Sequence, residues 1–160
     1  MDHLWNPWRY RYVQKADPAD ACIFCHKAAE GKDDENYIVH RARYNFIILN
    51  LYPYTTGHLM VAPYEHVATL ESASEDIVAE IMLLSRQAQR LLRSIYKPGG
   101  FNIGMNIGDV AGAGVASHIH MHVVPRWKGD ANFMSTVGET RILPEELPET
   151  YRKLKAAFQS

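Results

Sequence analysis

The sequence predicts an α+β fold in which an antiparallel five-stranded sheet packs against one long helix, with a further helix at the C-terminus. Two observations lead to this fold class. Short segments rich in β-branched and aromatic residues lie on both sides of residues 72–97. Between them, apolar residues recur at spacings of three and four, as they do on one face of a helix. A βαβ arrangement is the alternative, and it is less favoured because only one long helix separates the strands.

The elements follow one another in a simple order. Residues 13–35 are polar, are interrupted by Pro18 and Gly31, and predict an irregular arm. The C-terminal helix is predicted over 145–158, and a glycine-rich loop over 108–114. The predicted strands are 36–40, 44–51, 58–62, 101–107 and 116–125.

The long helix begins near residue 74 and ends before Pro98. Either Ser72 or Ser74 can cap it, and Ser72 with Glu75 has the spacing of a capping box. Its predicted buried face consists of apolar residues that step by three and four: Ile77, Ile81, Leu84, Ala88, Leu91 and Ile95.

Length and charge limit the class of protein. A chain of 160 residues fits one domain, divided here into an arm (1–35), a core (36–130) and a tail with a helix (131–160). The formal net charge of -1 argues against binding to a nucleic acid polymer, yet it permits a local site for a small phosphorylated ligand. No segment has the apolar length of a signal peptide or of a membrane span, so we expect a cytoplasmic protein without membrane contact.

Three histidines alternate in one predicted strand, at His118, His120 and His122. Alternate side chains of a strand share a face, so we expect the imidazoles on one face and Ile119, Met121 and Val123 in the core. Such a face can bind a metal ion or perform nucleophilic and acid–base catalysis. The glycine-rich loop directly upstream favours catalysis, because glycines let backbone N–H groups approach a phosphate.

Cys22 and Cys25 form a Cys-x-x-Cys pair, which in a reducing compartment favours metal binding over a structural disulfide. A tetrahedral site needs two more ligands, and composition leaves the choice open among His26, His40, His58, His66 and the three alternating histidines. A thiol pair without metal is the alternative, and a thioredoxin-like redox role is less favoured because no strand–CxxC–helix context is evident.

The segment 112–127, GAGVASHIHMHVVPRW, resembles the signature of the histidine-triad (HIT) superfamily, in which two apolar residues follow His-x-His-x-His. The segment 50–58, NLYPYTTGH, is similar to the nucleotide-binding strand and turn of that family. The similarity covers roughly residues 22–130. With LWNPWRYRY near the N-terminus and TRILPEELPETYRKL in the tail, the chain resembles bacterial HIT proteins of the diadenosine tetraphosphate phosphorylase type.

This resemblance implies a HIT-like fold and a nucleotide hydrolase or transferase that acts at a nucleoside α-phosphate through a nucleotidyl-histidine intermediate. His120 matches the nucleophile, His122 a partner on the phosphate side and His58 an additional active-site histidine. Asn50 matches the residue that binds the ribose hydroxyls. The resemblance and the local sequence place further residues at the phosphates or the leaving nucleotide: Asn106, Gly112, Gly114, Val115, Ser117 and Trp127.

The resemblance also implies a structural zinc ion on Cys22, Cys25, His66 and His118. Bacterial HIT proteins of similar layout complete such a site with the histidine of a Pro-x-x-His segment, matched here by residues 63–66, and with the first histidine of the triad. No organic cofactor is expected.

The implied substrate is a diadenosine polyphosphate such as diadenosine tetraphosphate, cleaved by phosphate to ADP and ATP or by water. A nucleoside phosphoramidate hydrolase of the Hint-like branch is a second enzyme hypothesis. Two further hypotheses are a nucleotide-binding or sensing module with little catalysis and a purely metal-binding protein. Family members usually form homodimers, so we expect a homodimer, with a tetramer as the other possibility.

Overall fold

The computed structural model describes residues 22–131 and 143–159 and confirms the α+β architecture. Within these residues the helices are α1 (Ile23–Glu30), α2 (Asp33–Asn36), α3 (Glu75–Tyr96) and α4 (Leu147–Gln159). The strands are β1 (Ile38–Arg41), β2 (Asn45–Leu49), β3 (Leu59–Pro63), β4 (Gly100–Gly104) and β5 (Met121–Arg126).

The five strands form one antiparallel sheet in the order β1-β2-β3-β5-β4. The last strand of the sequence therefore lies between β3 and β4, with Met60 opposite His122. His58 lies two residues before Met60, so it shares a face with His122 and is its diagonal neighbour across the two strands. The sheet order thus brings together two histidines that are 64 residues apart in the chain.

The strand that follows the glycine-rich loop begins later than predicted. Because β5 starts at Met121, His118 and His120 precede the strand instead of lying within it. The backbone N–H of Ile119 donates to the carbonyl of Val67 at 2.8 Å, which holds this segment against the core. The apolar half of the predicted alternation is confirmed, because Ile119 and Val123 belong to the hydrophobic core and Met121 packs on it.

Ser74 caps the long helix α3. Its Oγ accepts a hydrogen bond from the backbone N–H of Ile77 at 3.3 Å. The capping box predicted for Ser72 is wrong, since the Ser72 hydroxyl instead donates to the carbonyl of Thr69. Ser72 therefore belongs to the turn before the helix.

The buried face of α3 follows the prediction as far as Ala88 and then shifts by one residue. Leu92 is fully buried, whereas Leu91 and Ile95 are only partly buried. A period of 3.6 residues drifts around the helix, so the last two turns present a different position to the sheet.

Glu80 connects α3 to the turn between β1 and β2. Its carboxylate accepts hydrogen bonds from the backbone N–H groups of Arg43 (3.2 Å), Tyr44 (2.8 Å) and Asn45 (2.8 Å), and from the Asn45 side chain at 2.8 Å. Hydrogen bonds to a carboxylate are stronger than those between neutral groups. This one side chain therefore fixes where the sheet lies along the helix.

The arm is more regular than predicted, because α1 and α2 occupy residues 23–36. Gly31, with a φ of 68°, ends α1 in the left-handed conformation that favours glycine. Phe24 is buried in a cluster with Phe46 and Ile48 on the sheet, so α1 packs against the sheet. The predictions for residues 1–21 and 132–142 fall outside the described residues.

The C-terminal helix covers one edge of the sheet. Predicted over 145–158, it occupies Leu147–Gln159. The hydroxyl of Tyr151 donates to Asp34 Oδ1 at 2.6 Å, and Lys155 Nζ donates to the carbonyl of Ile38 in β1 at 3.0 Å. None of the described helices combines the length and apolar character of a membrane span.

The turn before β3 depends on Gly57, which has a φ of 79°. A Cβ at this position would lie 2.9 Å from Cδ2 of Leu92, which is fully buried and cannot move freely. Gly31 has a φ of 68°, and a Cβ there would contact nothing within 4 Å.

We expect Gly57→Ala to destabilise the protein by about 1–3 kcal/mol more than Gly31→Ala, because both substitutions strain a left-handed residue but only the first overpacks the core. Urea denaturation of the two variants and the parent chain measures the difference. Equal decreases in the free energy of unfolding would contradict the prediction, because they would show that the contact with Leu92 does not destabilise the protein.

Candidate functional site

A cavity lies between α1, the C-terminal end of β2 and the segment that precedes β5. Most of its lining is apolar, and includes Ile48, Leu49 and Met60. The polar groups that line it come from four separate segments of the chain: Lys27, Asn50, Asn106, His120 and His122. Apolar surface with a few convergent polar groups is typical of a small-molecule site.

His118 is fully buried behind this cavity, and its environment determines its tautomer. Its Nε2 lies 2.9 Å from the carbonyl oxygen of Pro63, which can only accept, so Nε2 carries the proton. Burial lowers the pKa of His118 to about 4, so the ring is neutral near pH 7. The lone pair on Nδ1 is then directed at Cys22 Sγ, 3.2 Å away.

Three side chains surround this lone pair, those of Cys22, Cys25 and His66. Cys25 Sγ lies 3.5 Å and His66 Nδ1 3.4 Å from His118 Nδ1, and the ligand atoms of Cys22, Cys25, His66 and His118 all lie within 4.8 Å of one another. Sulfur and nitrogen ligands of a tetrahedral zinc ion are separated by about 3.5 Å, given Zn–S near 2.3 Å and Zn–N near 2.1 Å. The set fits such an ion in both chemistry and spacing, and it comprises the four ligands that the resemblance implies.

His120 is oriented by the backbone of His118. Its Nδ1 lies 2.9 Å from the His118 carbonyl oxygen, so Nδ1 carries the proton and Nε2 holds a lone pair. His120 is 5% exposed, and burial lowers its pKa, which favours the neutral ring. The ring of Phe24 packs on it with 4.8 Å between ring centroids. A buried neutral imidazole with one free nitrogen at a cavity is a suitable nucleophile.

His58 and His122 form a second oriented pair. The backbone N–H of Tyr54 donates to His58 Nδ1 at 3.1 Å, so the neutral His58 ring carries its proton on Nε2. That proton is donated to His122 Nδ1 at 2.9 Å. The neutral His122 ring therefore carries its own proton on Nε2, while His58 is completely buried and acts behind it. His122, which lines the cavity, is thus prepared as a hydrogen-bond donor.

The other residues predicted for nucleotide binding are only partly brought together. Five of them line the cavity: Asn50, Asn106, Gly112, Gly114 and Val115. The backbone N–H of Gly112 is used within its own loop, where it donates to the carbonyl of Asp109 at 2.8 Å. Ser117 is exposed and lines neither this cavity nor the neighbouring one.

A larger cavity adjoins the first one, and Tyr54, Asn106 and His122 line both. It extends along β4 and contains Trp127, whose Nε1 donates to the carbonyl of Tyr96 at 3.3 Å. Three basic residues also line it: Arg126, Lys128 and Lys153. Trp127 and Asn50 therefore line different cavities, and His122 lies where the two cavities meet.

Sequence reasoning missed the contribution of α1 to the first cavity. Three side chains of this helix line it: Ile23, Phe24 and Lys27. Their i, i+1, i+4 spacing is that of one helix face, which would have been a usable signal if residues 23–30 had been predicted as a helix.

Known proteins resemble this chain over most of its length. The family model described as "HIT domain" matches residues 32–129. A Mycobacterium tuberculosis protein named AP-4-A phosphorylase is 39% identical over 96% of this chain and 83% of its own length. The structure of a zinc-bound histidine triad family protein from Mycobacterium smegmatis has a TM-score of 0.70 and 30% identity, covering 87% of this chain and 94% of its own. A histidine triad nucleotide-binding protein from Sulfolobus tokodaii has a TM-score of 0.69 and 27% identity, covering 86% and 92%.

The hydrogen bonds predict one tautomer for each ring of the site. We expect His120 to hold its proton on Nδ1, because it faces a carbonyl that only accepts, and His58 to hold its proton on Nε2, because it faces an N–H that only donates. His58 then donates to Nδ1 of His122, so we expect the His122 proton on Nε2 as well. Long-range ¹H–¹⁵N correlation spectra at neutral pH identify the tautomers, and the spectrum of a His26→Asn variant assigns an exposed reference ring. A proton on Nε2 of His120 would contradict the assignment.

Proposed function

The chain belongs to the HIT domain family, and we propose that it is an enzyme that cleaves dinucleoside polyphosphates at an α-phosphate through a covalent nucleotidyl intermediate on His120. The observation that most directly supports this is the hydrogen bond from His120 Nδ1 to the His118 carbonyl, which leaves Nε2 as the nucleophilic atom at the cavity.

The proposed reaction has two displacements. Nε2 of His120 attacks the α-phosphorus, the bridging P–O bond breaks, and the leaving nucleotide receives a hydrogen bond or proton from Nε2 of His122. The positive charge on the nucleotidyl imidazole is stabilised by the His118 carbonyl that accepts from Nδ1. An acceptor oxygen then attacks the same phosphorus, the N–P bond breaks to restore His120, and the proton that the acceptor releases returns to Nε2 of His122.

The remaining predicted residues surround this reaction centre in the proposal. Asn50 binds the ribose, and Asn106, with the loop residues Gly112, Gly114 and Val115, binds the phosphates from within the cavity. Trp127 contacts the leaving nucleotide from the adjoining cavity, which shares His122 with the first. Ser117 is exposed and lies outside both cavities, so its loop has to move before its hydroxyl can reach a phosphate.

We favour diadenosine tetraphosphate as substrate and inorganic phosphate as acceptor. The support is the relative named AP-4-A phosphorylase, which this chain matches over 96% of its length at 39% identity. The two adjoining cavities also suit a substrate with two nucleotides.

Zinc at Cys22, Cys25, His66 and His118 is part of the proposal. It is supported by the spacing of the donor atoms and by the zinc-bound relative from M. smegmatis. When bound, zinc would supply a structural connection between α1 and the segment before β5. We propose no part for it in the displacement steps.

We also propose that the protein is a cytoplasmic homodimer. Two free cysteines at metal-ligand spacing suit a reducing compartment. In the described part of the chain, α4 covers the β1 edge of the sheet whereas β4 forms the other edge. The exposed Asn102, Ile103 and Gly104 on β4 can pair with a second copy and continue the sheet.

Product analysis with diadenosine tetraphosphate tests the proposed reaction. We expect ADP and ATP in the presence of phosphate, and AMP and ATP if water is the acceptor. His120→Asn should lower kcat by at least about 10³-fold because it removes the nucleophile, whereas His26→Asn, an exposed histidine on α1, should leave kcat unchanged. A His120→Asn variant of normal activity would rule out the covalent intermediate.

Metal analysis of the purified protein tests the zinc site. We expect about one zinc ion per chain, and a loss of most of it in Cys22→Ser, because three ligands bind zinc much more weakly than four. His26 is next to Cys25 in the sequence but does not belong to the four-residue cluster, so the His26→Asn variant should retain the metal. A metal-free wild-type protein, after expression with zinc supplied, would contradict the proposal.

A further inference from the structure

Lys27 is the one lysine, arginine or carboxylate among the described residues that line the nucleotide cavity. It lies on the same face of α1 as Ile23 and Phe24. Its side chain is half-buried, and Nζ donates to Asn36 Oδ1 at 3.1 Å. Electrostatic attraction is stronger at short distance and in apolar surroundings, so the ammonium group acts mainly on the ligand atoms nearest to it.

The sheet order indicates how far Lys27 lies from the proposed reaction centre. Asn36, which holds the ammonium group, lies directly before β1, whereas His122 lies on β5, three strands away. Neighbouring strands are about 4.8 Å apart, so Asn36 and His122 are separated by about 14 Å across the sheet. With the α-phosphate at His120 and the ribose at Asn50 on the end of β2, the base extends toward Lys27.

We propose that Lys27 is a specificity-determining residue that donates hydrogen bonds to O6 and N7 of a 6-oxopurine base. The inference rests on the proposed function and extends its substrate class to guanine-containing dinucleoside polyphosphates. An ammonium group has three N–H donors and no acceptor, and one donor is used by Asn36. Guanine and hypoxanthine present two adjacent acceptors on this edge, whereas adenine presents N7 next to a 6-amino group that also donates.

The partners of Lys27 hold its ammonium group in place. Asn36 is 7% exposed, and its Nδ2 donates to Glu30 Oε2 at 2.7 Å. This hydrogen bond orients the amide so that Oδ1 is directed at Lys27. The ammonium group is therefore placed by a buried residue, and less side-chain freedom is lost when a base binds.

Inosine monophosphate and adenosine monophosphate provide the sharpest test, because their bases share the N7 edge and differ at position 6. Calorimetric titration measures both affinities for the wild-type protein, Lys27→Met, Lys27→Arg and the control Lys32→Met, an exposed lysine outside the cavity. We expect Lys27→Met to lower the ratio of inosine to adenosine monophosphate affinity by about tenfold. Lys27→Arg keeps the donors and should keep most of the ratio, and Lys32→Met should not change it.

An inosine-to-adenosine affinity ratio that Lys27→Met leaves unchanged would overturn the proposal. If both affinities fell by the same factor, that result would place Lys27 at the phosphate. Thermal melting confirms that each variant is folded. The cleavage rates of diguanosine and diadenosine tetraphosphate are measured with the same proteins. A wild-type protein that cleaves neither compound would refute the proposed function, whereas cleavage of both with a ratio independent of Lys27 would refute only the inference.

Discussion

Hydrogen bonds between ring nitrogens and main-chain atoms are the constraint on which the rest of this site depends. A histidine can attack, donate or bind a metal only if the correct nitrogen carries the proton. Here the carbonyls of Pro63 and His118 and the N–H of Tyr54 each permit one role only, so they determine the tautomers of three rings. Because His58 then donates to His122, the proton position in the fourth ring follows as well.

The fold supplies these main-chain atoms through the sheet order. β5 lies between β3 and β4, so the residues at both ends of β3 meet the histidine segment. Pro63 at one end faces His118, and His58 just before the other end faces His122. Gly57 fits closely against Leu92 of the long helix, which fixes the approach to β3. The helix and the sheet therefore contribute to the chemistry by fixing distances between backbone atoms.

Local patterns in the sequence predicted much of this arrangement. The apolar positions around Ile119 and the periodicity of α3 are local properties; the first are confirmed in the structure, and the second is confirmed as far as Ala88. The strand boundary was not predictable in the same way. Histidine at 118 and 120 suits a strand as well as a loop, and the Ile119–Val67 hydrogen bond that holds the segment comes from a distant part of the chain. The same limit applies to Lys27, whose place at the cavity depends on how α1 packs on the sheet.

The double use of His118 explains why a histidine stands at the first position of the triad. One ring nitrogen must donate to the Pro63 carbonyl while the other presents a lone pair to the cysteine cluster. A cysteine thiolate or a carboxylate could present a lone pair to the cluster but has no N–H to donate to the carbonyl. A charged lysine could donate but has no lone pair to present. The backbone carbonyl of the same residue accepts from His120. Because the His118 ring has partners at both nitrogens, the His118 backbone has little freedom to move. His118 therefore sets the orientation of the proposed nucleophile, and it connects the proposed zinc site to the proposed nucleotide site.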